Sequence, residues 1–484
     1  MKLNFSTEPK MREFGVQLVS KQNLPKTLAK QLADLKEIIS REKFEGKETQ
    51  TLFLVNGFSG FERFLIVGVS EKQATQEKTR NAAGIAVRYA QALKTKKICF
   101  LEPEIDGVIP QQATKAIIEG ATLANYSFQK YKTKQEERKV QLEEIELVGN
   151  LGEREKKELL EDLLVCENAN IIRDFINDNS ELVTPVYLAE QAEKIAEKAG
   201  VKVKVFDEKE IKSLKMGCFL AVSQANTTPP RMVVLEWNGA PEQKEKILLV
   251  GKGICFDTGG LDLKPGESMA TMRYDMAGAA VVLGVLKTAA DLKIKKNIVG
   301  IMSITENLIG EKSYRQGDVL TSMKGLTVEN NSTDAEGRLV LADCLYYGAT
   351  KFNPSLIVSI STLTGSVKAT FGSVVAGFCS TDEKAAEKIS KAGDSTGELV
   401  WRMPLNDQYL AETKSTRADL RSTNKNKTNG MIYGAVFLTN FVEEKPYLHL
   451  DIAGTAFLED TPKPYLETGA TGYGVRLLTE MLKE

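Results

Sequence analysis

Short apolar runs alternate along the chain with longer stretches whose apolar positions recur at helical spacing. In the first third, TLFLVN at 51–56, RFLIVGV at 63–69 and KICFLE at 97–102 predict strands. NAAGIAVRYAQAL at 81–93 and ATKAIIEGATLANYSF at 113–128 predict helices, which together make a small α/β domain. A charged stretch follows at 130–146. LGEREKKELLEDLLVCENANIIRDFINDN at 151–179 is then long enough for one connecting helix. Its charges are mixed in sign, as on a solvated face rather than a binding patch. The division predicted is an N-terminal α/β domain over 1–160, with a linker helix to about 180, and a larger catalytic domain over 161–484. No internal repeat or low-complexity tract appears.

The second part carries the stronger pattern. KVKVF at 202–206, CFLAV at 218–222, RMVVLEW at 231–237, KILLVG at 246–251, NIVGIMSIT at 297–305 and SLIVSIST at 355–362 are near-continuous apolar runs. Such runs predict strands of a mainly parallel central sheet covered on both faces, with helical segments between several of them. Ligands of such sheets bind just beyond the C-terminal ends of the strands.

Composition narrows the class. A chain of 484 residues is too long for one ordinary core. Its 42% hydrophobic and 27% charged content is that of a globular protein, and a net charge of −1 gives no global pull toward nucleic acid or anionic membrane. MKLNFSTEPK lacks the apolar core of a signal peptide, and the longest apolar run, MAGAAVVLGVL at 276–286, is too short to span a bilayer. Six scattered cysteines without a CxxC fit reduced thiols. A cytoplasmic protein with no membrane partner is expected. The single histidine, His449, excludes a His-rich zinc site, an HExxH protease and a zinc deaminase. It lies in the strand-like PYLHLDIAG and is expected to be a packed core residue.

Three blocks concentrate the chemistry. LVGKGICFDTGGLDLKP at 249–265 carries Lys252, Asp257 and Lys264; MRYDMAGAA at 272–280 carries Asp275; STDAEGRLVLADCL at 332–345 carries Asp334, Glu336 and Arg338. If the four carboxylates converge unpaired, their repulsion forces at least one to protonate. Two divalent cations would balance them. Carboxylates with one amine suit Mg, Mn or Zn, the amine adding preference for a transition metal. A lysine ligand must be neutral, so two lysines in one site invite a division between a ligand and a charged group that holds an oxyanion.

These blocks resemble the signatures of the leucine aminopeptidases, the M17 family of two-metal exopeptidases, whose blocks read VGKGxxFDSGGxxxKP, MxxDMxGAA and NTDAEGRL. The resemblance covers about residues 165–484, with further support from STLTGS at 361–366, ADLRS at 418–422, HLDIAGTAF at 449–457 and GATGYGVRLL at 469–478. It implies that Lys252, Asp257, Asp275 and Glu336 hold a tightly bound metal and that Asp257, Asp334 and Glu336 hold an exchangeable one. Lys264 and Arg338 would be catalytic, and Met272, Thr362 and Ala470 would line the side-chain pocket. The implied activity is removal of leucine-like N-terminal residues from peptides by a metal-activated hydroxide. Lys264 would steady the oxyanion and Arg338 would hold a bicarbonate base. Two Mn or Zn ions per subunit and a homohexamer are implied as well. Thr258 and Ser332 depart from the family's Ser and Asn.

Blander readings stand beside this one. GKG lacks the spacing of a phosphate loop, and FDTGG has no second D-[TS]-G with which to form an aspartic-protease pair. Asp334 and Glu336 also suit the first turn of a helix. Cys255 reads as core, and Arg338 could brace a loop. A two-metal phosphoesterase could use the same carboxylates. A DNA-binding role would need a basic stripe that the N-terminal domain lacks.

Overall fold

The computed structural model describes residues 1–25, 35–55, 58–424, 426, 428–460 and 463–484. Asn56, the last residue of the run predicted at 51–56, lies outside them. The chain forms two α/β units, one of Met1–Asn170 with Glu459–Thr468 and one of Ile171–Leu458 with Gly469–Glu484. The division falls inside a single helix, Glu153–Asn177.

Among the described residues the first unit is built on six strands: β1 (Lys2–Ser6), β2 (Phe14–Val19), β3 (Thr51–Val55), β4 (Arg63–Gly68), β5 (Lys97–Phe100) and β6 (Glu144–Val148), in the order β1-β6-β5-β2-β4-β3. Only the β3–β4 pair is antiparallel. The helices Gln76–Ala92 and Pro110–Asn125 pack on each other. Gly120 permits the close approach, since a Cβ there would strike the Arg80 backbone.

The second unit contains β7 (Lys202–Phe206), β8 (Arg231–Asn238), β9 (Lys246–Asp257), β10 (Asn297–Asn307), β11 (Val319–Thr321), β12 (Thr327–Glu329), β13 (Leu356–Ser361), β14 (Ala376–Ser380), β15 (Val400–Arg402), β16 (Leu420–Arg421) and β17 (Tyr447–Asp451). Its main sheet runs β15-β14-β17-β13-β9-β10-β8-β7. The central strands β10, β9, β13 and β17 are mutually parallel, while β7, β8 and β14 join antiparallel. On one face, the Glu336–Phe352 helix joins a core containing Leu248, Val250, Ile301, Leu341, Leu345 and Phe437.

One predicted strand is a helix. CFLAV lies within the helix Gly217–Ser223, where Cys218, Phe219, Ala221 and Val222 are buried. Five consecutive apolar residues carry no period, so burial on all sides looks the same for either element. Asp343 fixes the helical choice by accepting from the Phe219 N–H at 2.9 Å, satisfying a donor of the first turn. Among the described residues no helix is long and apolar enough to cross a membrane.

Candidate metal centre

Strand β9 supplies two of the site's residues, and simple alternation would point Lys252 and Asp257 to opposite faces. The pairing of β9 with β10 corrects this. Ile254 pairs with Thr305, but the next matched pair is Asp257 with Asn307, so β9 carries one extra residue between them. Such a bulge re-aims a side chain, and Asp257 returns to the face of Lys252. The following loop turns sharply at Gly259 (φ 85°) and Gly260 (φ 64°), a left-handed pair that only glycine adopts cheaply. The Lys264 N–H then closes on the Thr258 carbonyl at 2.9 Å, bringing the Lys264 side chain back over Asp257.

Asp275 lies in the 3-10 turn Met272–Met276, ahead of the helix Ala277–Asp291. Gly278 lets this helix start close against the sheet, because a Cβ there would strike the Ile360 carbonyl. Asp334 lies in the 3-10 turn Thr333–Ala335, and Glu336 opens the helix Glu336–Phe352. Gly337 leaves room for the lysine, since a Cβ there would come within 2.8 Å of Lys252 Nζ.

These elements bring Lys252, Asp257, Lys264, Asp275, Asp334 and Glu336 into one cluster. Lys252 Nζ is 2.8 Å from both Asp275 Oδ2 and Glu336 Oε1, and it donates to the Thr362 carbonyl at 3.1 Å. Lys264 Nζ is 2.8 Å from Asp257 Oδ2 and pairs also with Asp334 Oδ1. Oxygens of Asp257, Asp334 and Glu336 lie within 4.8 Å of one another. Lys252, Asp257, Asp275 and Glu336 are buried, whereas Asp334 is exposed and marks the open side.

The electrostatics are those of a site short of positive charge. Burial raises the Asp257 pKa, and the Glu336 charge adds to it, against Lys264 and Lys252. Burial likewise raises Asp275 well above the carboxylate range. Asp334, although the most exposed of the four, is still partly desolvated; that, then Glu336 and Asp257, push it up to about 7. Only Glu336 is held low, because Lys252 and Lys264 outweigh its burial. Burial alone would lower Lys252, but Asp275, Glu336 and Asp257 raise it, so with only protein groups around it this lysine is an ammonium.

Arg338 sits next to Gly337 on the same helix. Its Nη1 donates to the Ser422 carbonyl at 2.9 Å, and its guanidinium lies 5.6 Å from the Tyr433 ring centroid. Its buried Nε has no acceptor among the described residues. The expected pocket residues are placed differently from one another. Met272 is half-buried in the 3-10 turn before Asp275. Thr362 spends its hydroxyl on Asp275 Oδ1 at 2.7 Å. Ala470 is buried, its N–H donating to Asn177 Oδ1 and its carbonyl accepting from Arg173 Nε, both at 2.8 Å.

Three contributions escaped the sequence reading. Asn307 Nδ2 donates to Asp257 Oδ1 at 2.8 Å and to the Thr333 carbonyl at 3.0 Å. Asp262 clamps the two loops together, accepting from the Thr333 N–H at 2.7 Å while its own N–H donates to Thr333 Oγ1 at 2.7 Å. Thr362, expected only in the pocket, anchors both Lys252 and Asp275. Asn307 and Thr362 each end an apolar run, which is a weak hint; Asp262, in DTGGLDLKP, carries none. The two departures from the family pattern are accommodated: Thr258 Oγ1 donates to the Asn307 carbonyl at 2.8 Å, and Ser332 Oγ accepts from the Asp334 N–H at 3.3 Å. His449 is buried, with Nδ1 2.8 Å from Ser359 Oγ, and Cys255 is buried as expected.

The sequence matches the model of the cytosol aminopeptidase family catalytic domain over residues 170–479, and that of the family's N-terminal domain over 16–135. The chain belongs to the cytosol aminopeptidase family. As such it is an aminopeptidase, a hydrolase of peptide bonds. It is 38% identical over 455 residues to a probable cytosol aminopeptidase of Geobacter sp. (strain M21), covering 93% of this chain and 91% of that one. It is 37% identical to a probable cytosol aminopeptidase of Protochlamydia amoebophila (strain UWE25), over 93% of this chain and 91% of that one. Among solved structures, a mutant of tomato leucine aminopeptidase superposes with a TM-score of 0.89 at 29% identity, covering 100% of this chain and 96% of that one. The bottromycin maturation enzyme BotP in complex with Mn superposes with a TM-score of 0.87 at 27% identity, covering 98% and 99%. The two-domain α/β architecture expected from the sequence is therefore that of a leucine aminopeptidase.

Proposed function

We propose that this family member is a two-metal aminopeptidase that removes leucine-like N-terminal residues from peptides. The observation that carries the reading is the cluster of Asp257, Asp334 and Glu336 oxygens within 4.8 Å of one another. The donor set fits divalent cations. Four carboxylates and one amine are hard and borderline ligands suited to Mn or Zn. The raised pKa values of Asp257, Asp275 and Asp334 mark a charge deficit that cations would relieve. Lys252, Asp257, Asp275 and Glu336 would hold one ion, and Asp257, Asp334 and Glu336 the other. When bound, the ions would supply Lewis acidity toward the scissile carbonyl and toward water.

The remaining roles fall to the chain. Lys264 lies nearer the open side, beside Asp334, and stays an ammonium. It is suited to meet the carbonyl oxygen as negative charge develops there. Arg338 cannot accept a proton, but its guanidinium can hold a planar anion through parallel hydrogen bonds. Bicarbonate held there would supply the general base, because carboxylates that hold cations lose their basicity. Met272, Thr362 and Ala470 would border the apolar side-chain pocket. A homohexamer and a cytoplasmic location belong to the same reading. The test is a panel of amino-acid amides on Mn- or Zn-loaded protein, with mass from light scattering. Leucine and methionine amides should outrun aspartate and glycine amides, from a particle six times the mass of the chain. A preference for acidic residues, or a monomer with full activity, contradicts the respective part.

A further inference from the structure

The metal ligands do not arrange themselves, and Asn307 touches more of them than any hydrogen-bonding requirement of its own strand demands. It ends β10, fully buried, and pairs in register with Asp257 across the bulge in β9. Its backbone carbonyl accepts from the Thr258 N–H at 2.9 Å and from Thr258 Oγ1 at 2.8 Å, which fixes the start of the glycine loop. Its side-chain Nδ2 faces Asp257 Oδ1 at 2.8 Å, the Thr333 carbonyl at 3.0 Å and Glu336 Oε2 at 3.4 Å. One residue thus touches the β9 end, the glycine loop, the turn that carries Asp334, and the first residue of the helix that carries Glu336.

The choice of oxygens is specific. The amide faces Asp257 Oδ1 and Glu336 Oε2, while Asp257 Oδ2 and Glu336 Oε1 face Lys264 and Lys252. Each carboxylate therefore turns one oxygen to a neutral amide donor and the other to a lysine ammonium. An amide does this without changing the charge of the cluster. Aspartate here would add a fifth negative charge, and lysine would compete with a cation.

We propose that Asn307 is a positioning residue that sorts the oxygens of Asp257 and Glu336 and so sets the affinity and geometry of the metal centre. The assignment rests on the two-metal reading of the site. Outer partners of ligating carboxylates typically change metal affinity or activity by about 10–100-fold when removed. Binding of Mn to metal-stripped protein, measured by equilibrium dialysis with elemental analysis, should weaken by about that factor in Asn307→Ala. The visible absorption of the Co-substituted protein should shift in the same variant. Asn307→Thr, which suits a strand and keeps one hydroxyl donor, guards against a folding failure of the alanine variant and should fall between it and the parent. A merely structural role would lower the melting temperature while leaving both readouts alone. Parent-like Mn affinity together with an unchanged Co spectrum in the folded variants overturns the assignment. A parent protein that takes up no divalent cation overturns the two-metal reading itself, and the assignment with it.

Discussion

Lys252 and Lys264 each join two carboxylates of the site, and they share none. Lys252 pairs with Asp275 and Glu336, and Lys264 with Asp257 and Asp334. Lys252 is buried at the end of the cluster and anchored to the Thr362 carbonyl, whereas Lys264 is partly exposed beside the open side. This division predicts distinct losses. Lys252→Ala should lower the metal content of purified protein. Lys264→Ala should keep its metals while kcat falls, since it removes a contact strongest in the transition state. Elemental analysis beside steady-state kinetics separates the two, and equal metal loss in both variants contradicts the division.

Arg338 should respond to carbonate. In carbonate-depleted buffer the parent rate should rise on addition of bicarbonate, and Arg338→Ala should be slow and indifferent to it with metals in place. A general base typically contributes about 10²–10⁴-fold, so the deficit should fall in that range. Arg338→Lys should not restore the response, because an ammonium lacks the planar fork. Unimpaired kcat in the alanine variant rules the base out.

His449 gives a pH prediction that needs no metal. Burial, with the Arg338 charge, lowers its pKa to about 3 from the ordinary 6.5. The unfolded chain therefore takes up a proton that the folded protein refuses as pH falls below about 6.5. The stability held above that pH is lost progressively toward pH 3, at roughly 1.4 kcal/mol per unit within the window. The lone imidazole gives one set of NMR signals, which should stay at neutral-form positions from about pH 7.5 to about pH 5. His449→Gln should lessen the loss of denaturant stability between those pH values. An imidazole midpoint near 6.5 in the folded protein contradicts the prediction.

Much of this centre was legible in the sequence because its charged residues come in local blocks. FDTGG, MRYDM and TDAEGR each place charged residues on a short loop after or before an apolar element, and such loops can be read one at a time. The parts that were not legible depend on register and distance along the chain. Asn307 is an ordinary polar residue until the bulge in β9 sets it opposite Asp257. Asp262 matters because it meets Thr333, which is 71 residues away. CFLAV became a helix because an aspartate at 343 caps it, and its own five residues could not state that.

The central claim is that divalent cations complete the cluster of Asp257, Asp275, Asp334 and Glu336. Exhaustive chelation, verified by elemental analysis, followed by assay on leucine anilide with Mn, Zn, Co or Mg added back, tests it most directly. The account predicts no turnover from the stripped protein, recovery with Mn, Zn or Co, and little recovery by any ion in Asp257→Asn. Full activity of protein shown to be free of metal would contradict it.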